Sequence, residues 1–425
     1  MKKVLLRFST IVVILFLLSL YSWAVKHVTL NDKEMGFIKK PIEALADFPD
    51  LFEESVEEVQ ELPETFVKTP ESLKPINKLE NDVKVLTSYT NEKNGRTIEL
   101  LNLRNGKSLH KWEMKNPHNA HARIMHPLLL KDKRIVYSFN NCDGLICKDS
   151  TGKVVWEQKT IPHHHSINLD ADSNIWACTY DRNPPKGFVV YKGYYTLDGR
   201  KFGFVENMIS LIDSKTGDIL YHKSLSKILQ ENDLTYLLIQ SANPGDPMHH
   251  NDIQPALKTT RYYEKGDIFM SLRNLSSIIH FRPSTGKVIR LIRGPFSTQH
   301  DVDFYNDSTL AFFNNNSHVY YEYPPKNWPV ADSTFQVGEF YSNVTFYHFN
   351  SGEFSHPYDS IFKANKIYSH SEGVVEFTKD GAAFIEEQNH SLLWIIKDND
   401  VIYHDVLPSH HEGHHHLANW ARLIH

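Results

Sequence analysis

Histidine opens three stretches in which polar residues give way to alternating apolar ones. They are MHHNDIQPAL from Met248, HHHSINLDADSNIWAC from His163 and QHDVDFYNDSTLAFFNN from Gln299. The chain carries 25 histidines, and imidazole suits proton transfer, metal binding or nucleophilic attack near neutral pH. The first hypothesis is therefore a histidine-based site held at the ends of strands.

A strand–turn–strand pattern recurs at intervals of about 45 to 70 residues. The turn centres are Gly106, Gly152, Gly217, Gly286, Gly352 and Asn399. Gly and Asn tolerate the positive φ of a tight turn, and a second kind of hairpin lies between these units. Two hairpins make a four-stranded antiparallel sheet, so six units predict an all-β fold, a six-bladed β-propeller. Residues 83–114 are predicted to complete the last blade, so that N- and C-terminal strands share one sheet and close the ring.

In a propeller the first strand of each blade lines the central channel. Histidine stands at or beside the predicted start of each such strand: His121 or His126, His165, His249, His300, His370 and His416. These side chains are expected to converge at one end of the channel. The alternative is that each histidine caps a turn or packs under a loop, and for at least three of them the shared position favours convergence.

Composition excludes some classes of protein. The 425 residues are 41% hydrophobic and 12% aromatic, and the formal net charge is −5. This charge gives no reason to expect nucleic-acid binding, and the aromatic content favours strands. Three cysteines are too few for a disulfide scaffold. Cys142 and Cys147 flank a predicted hairpin tip and are expected to pair across it in an oxidising compartment, with free thiols as the alternative; Cys178 is expected to be buried.

The N-terminus has the pattern of a targeting segment. Lys2, Lys3 and Arg7 precede an uncharged apolar stretch, Phe8–Val25, which predicts either a cleaved signal peptide or an uncleaved signal anchor. Both place the rest of the chain outside the cytoplasm, on the periplasmic side, secreted or held at the membrane by this segment. The predicted domains are this segment (1–25), an acidic helical or irregular linker (26–81) and the propeller (82–425).

Several motifs together resemble the arylsulfate sulfotransferase family. They are MHHNDI from Met248, GDIFMSLRN from Gly266, a TG turn, QHDVDF from Gln299 and LAFFNNN from Leu310. The resemblance is best over residues 120–320. It implies an extracytoplasmic six-bladed propeller that moves a sulfuryl group from an aryl sulfate donor to a phenolic or other hydroxyl acceptor, without a nucleotide sulfate donor and without a cofactor or metal.

The resemblance also implies roles for particular residues. His300 matches the nucleophile that becomes sulfated, and Arg273 matches the sulfate-binding arginine. His249 and Asn251 match an H-x-N pair, and His165 matches a further active-site histidine. His164 and His250 are the alternatives one position away.

The residue types suit this chemistry independently of the resemblance. A sulfate ester carries negative charge on peripheral oxygens, and transfer needs donors aimed at them and a nucleophile that can hold the group. Arginine offers a planar fork for such oxyanions, and imidazole and asparagine supply a nucleophile and further donors. Asp301 and Asp303 fit a catalytic role less well, and Asp303 is expected to orient a ring or cap a turn.

Two departures from the family concern the N-terminus and the loops. The chain has an acidic, helix-like stretch where better-known members carry a β-sandwich. Two insertions, Pro184–Glu206 and Tyr321–Ser342, are expected to cover the site and determine the acceptor.

Two other functions compete with sulfuryl transfer. HHEGHHHL, His410–Leu417, together with His163–His165, would suit zinc or copper in a metal-dependent lyase or hydrolase, although an exposed polar loop is the favoured interpretation of His410–His416. The third interpretation is a non-catalytic propeller that binds a polysaccharide or a protein.

Overall fold

The computed structural model describes residues 2–30, 62–181, 193–319, 335 and 337–425. The chain forms two compact units, Met1–Pro63 and Glu64–His425. In the first unit, helix α1 spans Lys2–Leu30. Among the described residues no helix is both long enough and apolar enough to cross a membrane. The helices predicted within the acidic segment fall largely on residues 31–61, outside the described residues.

The second unit is all-β and begins with five short strands. They are β1 (Phe66–Lys68), β2 (Ile76–Asn77), β3 (Lys84–Thr90), β4 (Arg96–Asn102) and β5 (Lys107–Met114). Residues 64–81, which the sequence analysis placed in the linker, thus lie within this unit. Strands β3, β4 and β5 form an antiparallel meander.

The sheet that follows along the chain has seven antiparallel strands, which form two groups joined by one long strand. Its members are β6 (Leu128–Leu129), β7 (Ile135–Tyr137), β8 (Cys142–Lys148), β9 (Val154–Leu169), β10 (Ile175–Tyr180), β13 (Asn207–Ile212) and β14 (Ile219–Ser224). The first half of β9 pairs with β8 and its second half pairs with β10, so β9 ends one group and begins the next. Strands β11 (Gly193–Leu197) and β12 (Arg200–Phe204) form a separate hairpin.

Two short α-helices and two 3₁₀ helices connect the following strands. Helix α2 (Leu225–Glu231) begins where the Ser224 hydroxyl accepts the Lys227 N–H as an N-cap. The 3₁₀ helices span Thr235–Gln240 and Arg273–Leu275, and helix α3 spans Asp359–Asn365.

Three further four-stranded groups follow in chain order. They are β15 (His250–Pro255), β16 (Ile268–Leu272), β17 (Ser277–Arg282) and β18 (Lys287–Ile292); β19 (His300–Asn306), β20 (Thr309–Asn314), β21 (Asn343–His348) and β22 (Phe354–Ser355); and β23 (Val374–Phe377), β24 (Ala383–Glu387), β25 (Leu392–Lys397) and β26 (Asp400–Pro408). Each is an antiparallel meander in sequence order. The final strands are β27 (His414–His416) and β28 (Arg422–Ile424).

The predicted turn centres all lie in the left-handed region. The glycine φ values are 65° at Gly106, 85° at Gly152, 81° at Gly217, 69° at Gly286 and 74° at Gly352, and Asn399 has φ 61°. At Gly217 an added Cβ would also lie 2.6 Å from the Trp156 ring. The periodic turns of the sequence are therefore real hairpin turns with the conformation that glycine and asparagine favour.

An early strand and the last strand of the second unit share one sheet, as predicted, but the two ends contribute different numbers of strands than expected. Strand β28 pairs with β3, in the order β28-β3-β4-β5. The C-terminus thus contributes one strand and residues 84–114 contribute three. Strand β27 instead joins β26 and β1.

Buried carboxylates join the first strands of successive groups. Asp252 on β15 accepts the Val302 N–H at 2.7 Å, and Asp301 on β19 accepts the Val375 N–H at 2.6 Å. Glu376 on β23 accepts the N–H of Leu423 on β28. The first strands therefore lie side by side, and Asp301 helps to join two of them.

Buried apolar side chains lie between neighbouring groups of strands. Phe269 of β16 and Phe312 of β20 share one core, and Ile98 of β4 and Ile135 of β7 share another. The described residues form six such clusters. The many phenylalanines therefore fill the spaces between sheets, as expected for sheets packed face to face.

The predicted disulfide is wrong. Cys142 and Cys147 begin and nearly end the same strand, β8, and all three cysteines are free. Five residues of extended chain separate two Cα atoms by roughly 16 Å, far beyond the roughly 7 Å limit for a disulfide. Cys178 is fully buried, as expected.

Candidate active site

Four histidines from three different strand regions form one cluster. The ring centroids of His164 and His249 are 5.0 Å apart, and those of His165 and His249 are 5.8 Å apart. His165 lies 5.9 Å from His300. The predicted trio of His165, His249 and His300 is therefore brought together, and His164 belongs to the same cluster.

The imidazole of His300 is held in one tautomer by Asn315. The Asn315 amide nitrogen donates to the carbonyls of Ser369, at 2.8 Å, and Glu372, at 2.6 Å. Its Oδ1 lies 2.7 Å from His300 Nδ1 and can only accept, so Nδ1 carries the proton. Nε2 in turn accepts the Glu372 backbone N–H at 3.3 Å, a long hydrogen bond. The lone pair of His300 is therefore on Nε2.

Burial keeps this imidazole neutral. His300 is 1% exposed, and burial, followed by the charge of Arg273, lowers its pKa well below the usual value. A neutral imidazole with an available lone pair is the form required of a nucleophile.

His249 is paired with a carboxylate. Its Nδ1 lies 2.5 Å from Asp246 Oδ2, which directs Nε2 away from Asp246. Burial opposes ionisation of Asp246, but the charge and hydrogen bond of His249 and a hydrogen bond from Asn207 outweigh it and lower the Asp246 pKa. The His249 side chain is 23% exposed, more than the other three. This pair can give and take a proton at the edge of the site.

His164 and His165 both face the cluster. His164 Nδ1 lies 2.7 Å from Asn141 Oδ1, and Asn140 Oδ1 accepts the His165 backbone N–H at 3.0 Å. Burial lowers the pKa of both imidazoles well below the usual value. His165 has φ 51°, a left-handed conformation that lets two successive side chains reach the same site.

His250, the alternative to His249, has a structural position. Its Nε2 lies 2.9 Å from the Asp252 carbonyl and 3.5 Å from Cys178 Sγ. Its backbone N–H donates to Asn207 Oδ1 at 2.7 Å. The geometry therefore selects His249 at this position.

Arg273 is buried beside the cluster, at 7% exposure. Nη1 donates to Asn274 Oδ1 at 2.8 Å and to the Val319 carbonyl at 3.1 Å. Within the described residues, Nη2 and Nε have no hydrogen-bond acceptor. The Arg273 backbone N–H donates to the His249 carbonyl at 3.1 Å, which places the residue beside the cluster with one side of its fork left for an anion.

Asn251 is fully buried, and its amide is already used. Nδ2 donates to the Gln299 carbonyl at 2.8 Å, and Oδ1 has no partner among the described residues. The contact joins β15 to the segment that leads into His300. This geometry lets Asn251 position His300, whereas its residue type had suggested a donor to the sulfate oxygens.

Trp420 occupies the position that the sequence analysis assigned to a histidine of the last blade. It stacks on His165 at 5.0 Å and lies edge-on to His300 at 5.9 Å and to His126 at 5.7 Å. The predicted His416 is instead on β27 and stacks on Tyr89 at 4.3 Å. An extra short strand thus displaces the last histidine run from the site.

The remaining predicted histidines, His121, His126 and His370, lie in different environments. His126 is 2% exposed, whereas the side chain of His121 is 54% exposed; His126 is therefore the member of that pair near the cluster. Burial and then the Arg273 charge lower the pKa of His370, and the His370 carbonyl accepts the Ser317 hydroxyl at 2.8 Å.

The histidine-rich run near the C-terminus is not an exposed loop throughout. His415 and His416 are 1% and 7% exposed, and His415 Nε2 lies 2.9 Å from the His390 carbonyl. Among the described residues, the one group of three metal-ligating side chains consists of His164, His165 and His249. The run at 410–416 contributes none of these.

Several site residues had no assigned role in the sequence analysis. Asn315 lies in the LAFFNNN motif but gave no sign of which asparagine faces a histidine, and Asp246 precedes the histidine pair by three residues. Glu372, Asn141 and Trp420 come from distant parts of the chain. The fold alone brings them to the cluster.

The solved structures similar to this chain have low sequence identity to it. A protein of unknown function from Bacteroides caccae is 10% identical, with a TM-score of 0.49 over 80% of this chain and 99% of that chain. Virginiamycin B lyase from Staphylococcus aureus is 14% identical, with a TM-score of 0.37 over 68% and 71%. A functionally unknown protein from Desulfotomaculum acetoxidans is 9% identical, with a TM-score of 0.40 over 75% and 79%.

The comparison with protein families gives a firmer result. No curated protein matches the chain. The model of the family described as Arylsulfotransferase (ASST), however, matches residues 126–404. This range is well over half of the sequence and contains all four clustered histidines and Arg273. The chain belongs to the arylsulfotransferase family.

Proposed function

We propose that this protein transfers a sulfuryl group from an aryl sulfate to a phenolic or other hydroxyl acceptor through a covalent intermediate on Nε2 of His300. Family membership supports the aryl sulfate donor and the phenol. The observation that carries the mechanism is the hydrogen bond from His300 Nδ1 to Asn315, because it leaves the lone pair on Nε2.

In the first step, Nε2 attacks sulfur and the long hydrogen bond from Glu372 is given up. An N–S bond forms as the bond between sulfur and the aryl oxygen breaks, and the electron pair leaves with that oxygen. His249 gives the aryl oxygen a proton, supported by the Asp246 carboxylate. The free side of Arg273 binds the peripheral oxygens.

In the second step, the acceptor hydroxyl oxygen attacks sulfur. The N–S bond breaks, its electron pair returns to Nε2, and the acceptor proton passes to His249. Each group is then as it began, so the reaction needs no cofactor, and the donor product leaves before the acceptor reacts.

The fold and location are part of the proposal. Six four-stranded groups, with six cores between them and β28 paired to β3, fit a six-bladed propeller whose first strands surround the cluster. The basic residues before the uncharged N-terminal stretch favour export, which would place this site outside the cytoplasm.

The test is the intermediate itself. The full chain is incubated with 4-nitrophenyl sulfate alone, quenched under alkaline conditions and digested, and the peptides are weighed for one added sulfuryl group. We expect it on the peptide containing His300, with a burst of about one equivalent of nitrophenolate and steady turnover once phenol is added. His300→Asn should give neither the adduct nor turnover.

A matched control is His348→Asn, since His348 lies in the same group of strands but bonds to Ser355, outside the cluster. It should retain the adduct and the burst. An adduct on the peptide containing His165 or His249, or full activity of His300→Asn, would refute the assignment of the nucleophile.

A further inference from the structure

We infer that His164, His165 and His249 form a binding site for a divalent transition-metal ion such as Zn²⁺. One ring nitrogen from each lies within 4.8 Å of the others. Tetrahedral Zn²⁺ with Zn–N bonds of about 2.0–2.1 Å needs nitrogens about 3.3–3.4 Å apart. The most widely separated pair of nitrogens would have to approach by about 1.4–1.5 Å to reach this spacing.

The hydrogen bonds of two rings already have the arrangement found behind metal ligands. His249 Nδ1 faces the Asp246 carboxylate at 2.5 Å, and His164 Nδ1 faces Asn141 Oδ1 at 2.7 Å. A ligating imidazole usually donates its other ring N–H to such an oxygen, which fixes the tautomer and directs the lone pair to the metal. In both rings Nε2 is the nitrogen left for a ligand.

Two of the ring nitrogens are also buried without a hydrogen-bond partner, which is unfavourable for a polar atom. His164 Nε2 and His165 Nδ1 are buried and have no hydrogen-bond partner among the described residues. Their side chains are 4% and 6% exposed. A buried polar atom normally has a partner. His126 and His163 also have buried ring nitrogens without a partner among the described residues, so it is the convergence of His164 and His165 with His249 that points to a shared ligand.

Two arginines border the cluster, Arg123 and Arg273, and the carboxylates of Glu372 and Asp246 offset their positive charge. Arg123 is engaged by Glu372, with its two terminal nitrogens 2.6 and 3.1 Å from the carboxylate oxygens. Asp246 supplies a carboxylate directly behind His249. Three neutral imidazoles suit zinc, cobalt, nickel or copper rather than magnesium or calcium.

Metal binding would have a consequence for the proposed reaction. His249 cannot ligate a metal and exchange a proton with donor and acceptor at the same time. Zn²⁺ is therefore expected to inhibit transfer reversibly. This consequence rests on the proposed function, whereas the metal site itself does not.

The test measures metal binding without any sulfate ester. Full-length protein without an added histidine tag is titrated with Co²⁺, followed by its visible absorption, and then with Zn²⁺ in competition. We expect one Co²⁺ with the intense bands of a low-coordinate site, displaced by Zn²⁺. His164→Gln should weaken binding by more than the roughly 10- to 100-fold that loss of an outer partner costs.

Two controls separate this site from other histidines. His163→Gln changes the neighbouring buried ring, whose nitrogens likewise have no partner among the described residues, and should bind Co²⁺ like the wild type. The double variant His410→Gln and His411→Gln removes exposed histidines of the C-terminal run and should also keep the bands. Bands that vanish in this double variant, or that survive unchanged in His164→Gln, would refute the site.

The inhibition assay then distinguishes the two proposals. The concentration of Zn²⁺ that halves 4-nitrophenyl sulfate turnover is measured for each protein relative to its own metal-free rate. His164→Gln should require at least 10-fold more Zn²⁺ than His163→Gln. Metal binding in a protein that transfers no sulfuryl group would overturn the proposed function and leave the metal site standing, and transfer without metal binding would do the reverse.

Discussion

Asn315 Oδ1 accepts the Nδ1 proton of His300 at 2.7 Å, and both hydrogens of the Asn315 amide are directed to backbone carbonyls. The amide cannot turn over without losing three hydrogen bonds. It therefore sets the tautomer of His300 and the direction of its Nε2 lone pair.

Asn315→Ala should slow formation of the sulfated enzyme roughly 100-fold, the scale of a small displacement of a reacting group. The burst of nitrophenolate in a stopped-flow experiment measures this step directly. Asn343→Ala is the control, because Asn343 is a buried amide on β21 that bonds Asn314 and Thr345 instead. An equal slowing in both variants would mean that the effect is one of general packing.

Arg273→Lys keeps the charge and loses the planar fork. Nη1 is occupied by Asn274 and Val319, so a single ammonium group cannot hold these partners and a sulfate together. We expect a loss of roughly 10²–10³-fold in kcat/KM. Arg282→Lys, which alters an ion pair with Asp267 outside the cluster, should change it little. Near-normal kinetics of Arg273→Lys would remove Arg273 from the site.

The pH dependence of the burst should report the buried nucleophile. Burial and the Arg273 charge lower the pKa of His300 well below its usual value of about 6.5. Its imidazole thus stays neutral, and reactive, as the pH falls through that value. The burst rate should not decline as the pH is lowered from 7 to 6 and should decline only in more acidic solution, while circular dichroism verifies that the fold persists. In Arg273→Gln the acidic decline should move to higher pH. A wild-type midpoint at or above 6.5 would contradict this account.

The cysteines offer a simple check of the fold. With Cys142 and Cys147 on one strand, alkylation of the unreduced, denatured protein should label all three thiols, even in protein exported to an oxidising compartment. A bridged peptide containing both residues would contradict the strand assignment of Cys142–Lys148.

The sequence predicted those features that depend on neighbouring residues. The six turn centres, of which Gly106 is the first and Asn399 the last, were predictable because a turn residue with positive φ is usually Gly or Asn. The convergence of His165, His249 and His300 was predictable because each stands next to a strand start, and a repeat with strands of similar length brings equivalent positions together.

Features that depend on distant pairing were missed. The residues of β27 resemble the start of an inner strand, but they pair with β1, and Trp420 lies in the site instead. The segment from Cys142 to Cys147, which was expected to form a hairpin tip, is one strand because it pairs along its length with β9. Which asparagine of LAFFNNN faces His300 depends on the carbonyls of Ser369 and Glu372, more than fifty residues away.

Glu386 is expected to position Trp420. It is fully buried, and its two carboxylate oxygens accept the backbone N–H groups of Trp420 and Ala421, each at 2.8 Å. Trp420 has φ 57°, so these hydrogen bonds stabilise a backbone conformation that tryptophan rarely adopts. Glu386→Gln leaves one acceptor for two N–H groups and should cost about 1–3 kcal/mol of unfolding free energy.

The pH dependence of that penalty has a definite sign. Burial raises the pKa of Glu386 to about 7, above the value of about 4.3 expected in the unfolded chain. Stability from this group is therefore fully present below the unfolded pKa and is lost as the pH rises through 7. Because glutamine does not titrate, the difference between wild type and Glu386→Gln in urea unfolding should be smaller at pH 8 than at pH 6.

Activity separates positioning from stability. Glu387→Gln, on the same strand, changes a buried carboxylate that accepts the Trp394 indole N–H and lies near His390, away from the cluster. Both variants should unfold at lower urea concentration than the wild type. Under conditions where both are fully folded, only Glu386→Gln should lower kcat, because only it releases the tryptophan that stacks on His165 and borders His300. A similar loss of kcat in Glu387→Gln would show that Glu386 acts through stability alone.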